Sequence, residues 1–315
     1  MKAVIYERYG PPEVLHLAEV EKPTPNDDEV LIKNYATTVH VGDTRMRGFR
    51  VPRLYWLPMR IFLGLTKPKR QILGMETAGV IESVGKNITE FKKGDEVFAL
   101  TGFECGGYAE YSTVSAIDGD EKKGMVVGKP SNLSFEEAAA VPAGALTALL
   151  HMQKVKVTTG TTILIYGASG SVGSYAVQIA KYYGGTVTGV CSTQNLKLVK
   201  SIGADEVIDY TKEDVTKLDK KFDVVFDAVF KFPRSQGKAL LKDQGLFDSS
   251  HAKIPTPTTK DLIFLKDLIE KKKLKPVIDK TYLMEDIVDA HHYVDTGHKK
   301  GNVAITIFPI KAVKK

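Results

Sequence analysis

At 315 residues the chain is long enough for about two domains with full cores. Its 43% hydrophobic and 26% charged content is that of an ordinary globular protein, and a net charge of +6 is too mild to call for nucleic acid. The lysine clusters (Lys271-Lys272-Lys273, Lys299-Lys300, Lys314-Lys315) are short and separated, and read as solvated faces or a frayed tail. Only two cysteines are present, Cys105 and Cys191, far apart and without a CxxC pattern, which excludes a structural zinc site or a disulfide framework. The opening MKAVIYERYG has no apolar signal core, and no run reaches the ~18 apolar residues of a membrane span. The expectation is a cytoplasmic protein with neither a membrane nor a nucleic-acid partner.

In chain order, Ala3-Val4-Ile5 reads as a strand, followed by a Pro/Asn/Asp linker over residues 22–29 and a second strand at Val30-Leu31-Ile32. Residues 79–85 and 95–99 complete a run of short strands punctuated by glycine, so residues 1–125 are expected to form a small β domain. Within it, residues 51–65 (VPRLYWLPMRIFLGL) are the most apolar loop-like stretch and carry the only tryptophan. They read either as a lid or wall for an apolar ligand or as a short buried helix kinked at Pro58.

From residue 126 to about 270 helix and strand alternate, as a parallel sheet requires. Ser134-Phe135-Glu136-Glu137 opens a helix with a capping box. The most informative stretch is residues 161–173, TTILIYGASGSVG. An apolar run from Ile163 to Tyr166 ends in a turn of small residues, Gly167, Ala168, Ser169, Gly170, Ser171, Val172 and Gly173, and an amphipathic helix follows. Strand, small turn and helix in that order make a cradle for a pyrophosphate, drawn by free backbone N–H groups and the positive end of the helix dipole. Ala168 stands where the first glycine of a GxGxxG pattern would be, but the surrounding elements supply the context. A second strand over residues 186–191, a helix over 196–202 ended by Gly203, and strands at Val207-Ile208 and 223–226 continue the alternation. Residues 271–315 return to strand character at 303–307.

The blocks MKAVIYERYGPPEVL, LGMETAGVIESVG, FKKGDEVFAL, GGYAEY, AAAVPAGALTALL, GASGSVGSYAVQIAK, IGADEVIDY and GHKKGNV, in this order, resemble the zinc-free quinone-reductase-like branch of the medium-chain dehydrogenase/reductase superfamily. The resemblance covers nearly the whole chain. It implies an α/β fold: a Rossmann doubly wound parallel sheet (126–270) within a GroES-like β domain (1–125, rejoined by 271–315), with the active site in the cleft between them. It also implies a hydride-transferring enzyme acting on a quinone or an α,β-unsaturated carbonyl.

Zinc-dependent members of the superfamily hold the metal partly through a Gly-His-Glu histidine. Here the block reads Gly74-Met75-Glu76, residues 38–43 contain no cysteine, and a thioether is a poor Zn²⁺ ligand. No metal is expected. The second strand of the Rossmann half ends Cys191-Ser192-Thr193-Gln194, without the carboxylate that grips the ribose of NAD, which favours NADPH with NADH as the alternative. By resemblance, Ser192 and Tyr210 line the 2′-phosphate site; the usual lysine position reads Asn195, with Lys197 two residues on. Thr147 is placed near the nicotinamide by the same resemblance, or is back-bonded to its own helix turn. Asp43 and Arg45 fall among the cleft's polar residues, where Asp43 alternatively fixes the loop.

The chain departs from the family twice. Val229 is followed by Phe230 where the family has glycine, a bulky residue that would narrow the pocket. Only fifteen residues separate Gly245 from Asp261, where relatives fit another strand and a long loop; either the Rossmann sheet is shortened or the sequence as given omits a segment, and both leave open whether the protein is a homodimer. The alternatives to a quinone or enone reductase are a zinc-independent carbonyl reductase or alcohol dehydrogenase, and a non-catalytic NADP-binding protein.

Overall fold

The computed structural model describes residues 1–51, 53–117 and 124–308; Pro52 of the apolar stretch and the Lys314-Lys315 pair lie outside them. The chain divides into two compact units, one of residues 1–143, 258–260 and 278–315, the other of residues 144–257 and 261–277.

The first unit opens with β1 (Lys2–Ile5) paired antiparallel to β2 (His16–Glu19), then β3 (Glu29–Thr38), α1 (Val41–Arg47), α2 (Trp56–Leu63), β4 (Glu76–Val84), β5 (Glu96–Leu100), β6 (Tyr111–Ser115), β7 (Met125–Gly128) and α3 (Phe135–Ala139). Long β3 is the hub: it pairs antiparallel with β4 on one side and carries β6 along Glu29 to Lys33. Val30, Ile32, Ile81, Val97, Val114 and Val126 meet beneath it in one apolar cluster, which is why these alternating β-branched residues read as strands. α3 begins on the expected box, with the Ser134 hydroxyl accepting from Glu137 N and the Glu137 carboxylate accepting from Ser134 N.

The second unit begins within α4 (Pro142–Lys154) and continues through β8 (Thr162–Tyr166), α5 (Ser171–Tyr182), β9 (Thr186–Cys191), α6 (Leu196–Ser201), β10 (Glu206–Asp209), β11 (Phe222–Asp227), α7 (Arg234–Ala239), β12 (Leu241–Ser249) and α8 (Thr259–Glu270). Its five strands run parallel in the order β10-β9-β8-β11-β12. That is the doubly wound order, with its switch point between β8 and β11. Ile163, Leu164 and Ile165 are sealed from solvent, as a central strand covered on both faces demands. Among the described residues no sixth strand follows: the chain passes from β12 directly to α8.

The chain then returns to the first unit with β13 (Ile278–Leu283), α9 (Ile287–Asp295) and β14 (Asn302–Thr306). β14 pairs antiparallel with the end of β3, giving a seven-stranded sheet. The boundaries 125/126 and 270/271 expected from sequence are corrected by the packing. β7 pairs with β5 and Thr306 bonds Glu136 on α3, so residues 126–143 belong to the first unit; Leu274 and Lys275 belong to the second, where Gln178 holds Lys275 by two bonds.

Candidate functional site

In the second unit the parallel register brings Tyr166, Val190 and Asp227 to one edge of the sheet, the carboxyl edge. Gly167 leaves β8 at φ 77°, and a side chain there would run into Val229 at 2.5 Å. Gly173 packs α5 onto that turn: a Cβ on it would stand 2.1 Å from the Gly167 carbonyl oxygen. Between them Ala168 is buried, and Gly170 sits at the N-cap of α5 in extended backbone, offering no side-chain acceptor to the helix. A twelve-residue helix thus presents its dipole end through small residues, while α1 and α3 in the other unit close theirs with capping boxes.

The end of β9 adds a built polar pocket. Asn195 is buried and its Nδ2 donates to Ser169 Oγ (3.1 Å) and Ser192 Oγ (3.2 Å), tying the glycine-rich turn to the strand end. Its Oδ1 is buried with no partner, a ready acceptor for a hydroxyl. Lys197 is exposed on α6 and Tyr210 half exposed beyond β10, 6.1 Å from the Tyr166 ring. The nearest carboxylate on β10, Asp209, is occupied: Thr193 (2.5 Å) and Thr211 bond it and hold it below its ordinary value.

Two cavities open at this edge. One of about 480 Å³ is lined by Tyr166, Tyr210 and Phe232 with residues 211–216. The other, about 720 Å³, is lined by Phe230, Phe232 and Phe247 together with Lys154, Lys231 and Arg234. Phe230 takes a left-handed φ of 57°, the conformation that suits the family's glycine, and lays its ring 4.2 Å from His251. It lines the cavity rather than filling it.

Thr147 is half-buried on α4. One turn on, His151 Nδ1 donates to Asp248 (2.7 Å), which Lys154 also bonds (2.8 Å). Burial works to raise Asp248, yet these two partners hold it below its ordinary value. Sequence reading missed this trio because Asp248 lies 97 residues from His151.

In the first unit, Asp43 and Arg45 share α1 but not a role. Asp43 is fully buried; its oxygens accept from His40 N (2.9 Å) and Gly74 N (3.0 Å), and the desolvation lifts it to about 7. Asp43 thereby ties the start of α1 to Gly74, the loop-fixing role that is one of its two readings from the sequence. Arg45 is exposed on the same helix. The sequence brings His40, Asp43 and Glu76 into view as a group, but not Lys299 beside them. Glu76 accepts from Thr38 and from Ala143 N (2.8 Å), and burial raises it to about 7. Lys299, whose charge lies near Glu76, is lowered to about 8 by desolvation. His40 is pushed down to about 4 by burial and by the charges of Lys299 and Arg45.

These atoms also test a metal. His40 Nδ1 accepts from Gly42 N, both Asp43 oxygens take backbone N–H groups, and both Glu76 oxygens are bonded. Among the described residues no group of three His, Cys, Asp or Glu side chains is arranged to hold an ion.

An open cradle at the switch point of a doubly wound sheet, in one chain with a separate β unit, defines a nucleotide-binding dehydrogenase fold. Family models agree: the alcohol dehydrogenase GroES-like domain matches residues 26–150, and two zinc-binding dehydrogenase models match residues 171–247 and 245–305. The chain is 35% identical to a 2-methylene-furan-3-one reductase of Solanum lycopersicum, over 98% of its own length and 80% of the relative's. It is 32% identical, with the same coverage, to an Arabidopsis thaliana chloroplastic NADPH-dependent alkenal/one oxidoreductase. The solved quinone oxidoreductase of Coxiella burnetii superposes with a TM-score of 0.86 at 26% identity, covering 98% of this chain and 99% of that one. The chain belongs to the medium-chain dehydrogenase/reductase superfamily, in its quinone-reductase-like branch. Among the described residues no helix is long and apolar enough to cross a membrane.

Proposed function

We propose that the protein is a zinc-independent, NADPH-dependent oxidoreductase that reduces a quinone or an α,β-unsaturated carbonyl. The observation that carries the reading is the uncapped start of α5 in its small-residue turn, with the unpartnered Asn195 oxygen beside it. The relatives' names, a furanone with an exocyclic methylene and an alkenal/one, supply the acceptor class.

Bound nicotinamide dinucleotide would supply the hydride. The turn from Gly167 to Gly173 would hold the pyrophosphate, Asn195 Oδ1 would accept from a ribose hydroxyl, and Ser192, Lys197 and Tyr210 would meet a 2′-phosphate. β9 ends without a carboxylate of its own to grip the ribose hydroxyls in place of that phosphate, and Asp209 on β10, which stays charged, is bonded to Thr193 and Thr211. Thr147 is proposed as a donor near the reacting ring and Arg45 as a positive group facing the acceptor. A conjugated acceptor spreads the arriving charge over its own framework, so the chain needs to orient it and offer hydrogen bonds rather than a Lewis acid. Two buried, unpaired cysteines accord with a reducing compartment such as the cytoplasm.

The test is a fluorescence titration with NADPH and NADH, followed by addition of 1,4-benzoquinone and then an enone to the tighter complex. Tight NADPH binding with rapid oxidation on either acceptor is expected, unaffected by a chelator. Binding without turnover on either would make this a non-catalytic NADP-binding protein, and no binding would sink both readings.

A further inference from the structure

We propose that α2 and its flanks form a docking surface for an anionic lipid bilayer, on which the protein sits peripherally. The inference stands on this segment alone and does not depend on the reductase reading.

The helix is inside out. Arg60 points inward, its guanidinium carbon 4.2 Å from the Phe49 ring, 4.4 Å from Tyr9 and 5.3 Å from Trp56. This cation–π cage anchors α2 by its one charged residue. Around the helix from Arg60, the side chains of Leu57, Ile61 and Phe62 stay exposed, as does Leu65 just past the helix end. No residue of α2 is buried. Tyr55, Trp56, Leu57, Ile61, Phe62 and Leu65 are between 48% and 64% exposed, and half-exposed Phe103 meets Phe62 edge-on at 6.1 Å. Four aromatic side chains of roughly 200 Å² each, about half exposed, alone present about 400 Å², before the aliphatic ones are added. A lone apolar side chain at a surface needs no explanation; a contiguous patch of this size does.

The charge around the patch names what covers it. Residues 44–75 contain eight lysines and arginines and not one acidic residue, more positive charge than the +6 of the whole chain. Arg47 and Arg50 are engaged with Asp295, and Arg70 with Glu104. Among the described residues Arg53 and Lys67 are exposed and lack an acidic partner, and Lys69 spends its ammonium on the Ile61 carbonyl while its charge stays uncancelled. Arg53 lies before the helix and Lys67 and Lys69 after it, so cations flank both ends of the apolar stripe. Aromatic and aliphatic side chains rimmed by basic ones fit the headgroup boundary of an anionic leaflet, where the rings sit among the headgroups and the cations meet lipid phosphates and carboxylates. A protein partner would have to be both apolar and strongly acidic. The proposal departs from the expectation of no membrane partner: the contact is peripheral, not a span.

Trp56 is the only tryptophan, so its emission reports on this helix and nothing else. The full-length protein is mixed with phosphatidylcholine vesicles with and without phosphatidylserine, and flotation is read beside the emission maximum. A blue shift and flotation are expected only with phosphatidylserine and should weaken as salt rises. Arg53→Gln and Lys67→Gln should each lower the partition coefficient about fivefold, and Leu57→Ser with Ile61→Ser should abolish binding while the unaltered Tm shows the fold intact. Absence of any shift in the wild-type protein overturns the proposal without recourse to a variant. So does equal binding to uncharged vesicles, or concentration-dependent self-association that the same serine pair removes.

Discussion

Replacing Gly173 by alanine tests the cradle at its tightest point. The added methyl would stand 2.1 Å from the Gly167 carbonyl oxygen and 2.9 Å from Ala168 Cα, against an ordinary contact of at least 3.4 Å. Every obstructing atom is backbone, so no side chain can swing away. The start of α5 must lift from the turn by about 1.3 Å, an overpacking strain of roughly 1–3 kcal/mol. At roughly 2–4 °C per kcal/mol for a chain of this size class, the melting temperature should fall by several degrees. The same displacement pulls backbone N–H groups away from the pyrophosphate. Losing one charge-assisted hydrogen bond of about 1.5–3 kcal/mol weakens NADPH binding by about 10- to 150-fold. Gly170→Ala is the control, because its Cβ would meet nothing nearer than the Gly167 oxygen at 3.5 Å and Val229 at 3.8 Å. That variant should keep its melting temperature, and any affinity it loses would come from crowding the phosphate itself. Thermal melts of the apo protein with calorimetric titration of NADPH separate the two effects. The reasoning fails if Gly173→Ala melts with the parent, or if Gly170→Ala is the less stable of the two.

Arg47→Met should cost about 3–5 kcal/mol in urea unfolding. Arg47 is fully buried and bonds Gly10 O, His291 (2.8 Å) and Asp295 (2.5 Å), and its loss leaves the first two acceptors without this donor and Asp295 with Arg50 alone at the α1–α9 contact. Arg47→Lys should recover only part of that, since an ammonium cannot span the three acceptors; full recovery would contradict this account. Asp43 gives a pH signature. Its folded value, about 7, lies above the ordinary 3.8, so its contribution is fully present below about pH 4 and is lost as pH climbs through 7. The stability advantage of the parent over Asp43→Asn should therefore shrink between about pH 5 and 7, and a widening gap in paired urea titrations would show the carboxylate to be charged in the fold.

What could be read before the structure was local. The strand over residues 186–191 coincides with β9, and the helix ended by Gly203 with α6, because a parallel sheet writes each covered strand as an unbroken apolar run and each return as a helix of period 3.6. The β unit was less legible. Glu76 gains its meaning from Thr38 and Ala143, 38 and 67 residues away, and no periodicity connects them. Asp43 looked like chemistry because a lone acid in a loop always does; only its two backbone partners show that both oxygens are spent. The stretch 51–65 was legible as helix or loop, but burial is a property of the neighbours, and here the neighbours leave it uncovered.

Asn195 and Phe230 show the same limit at the site itself. Both were visible as departures from a family pattern, one replacing lysine and the other glycine. Composition at those positions says what is lost, a cation and a permissive backbone, but not what replaces it. Asn195 exchanges a long-range charge for a short-range clamp between Ser169 and Ser192, so the site's anion attraction rests on the helix dipole and on the exposed Lys197. Phe230 accepts a left-handed backbone at a cost of about 1–2 kcal/mol, and a ring 61% exposed against His251 recovers little of that by burial. Strain carried by an exposed aromatic at the mouth of a cavity of about 720 Å³ has no folding benefit to account for it. Phe230 thus holds a backbone conformation that its own packing does not explain.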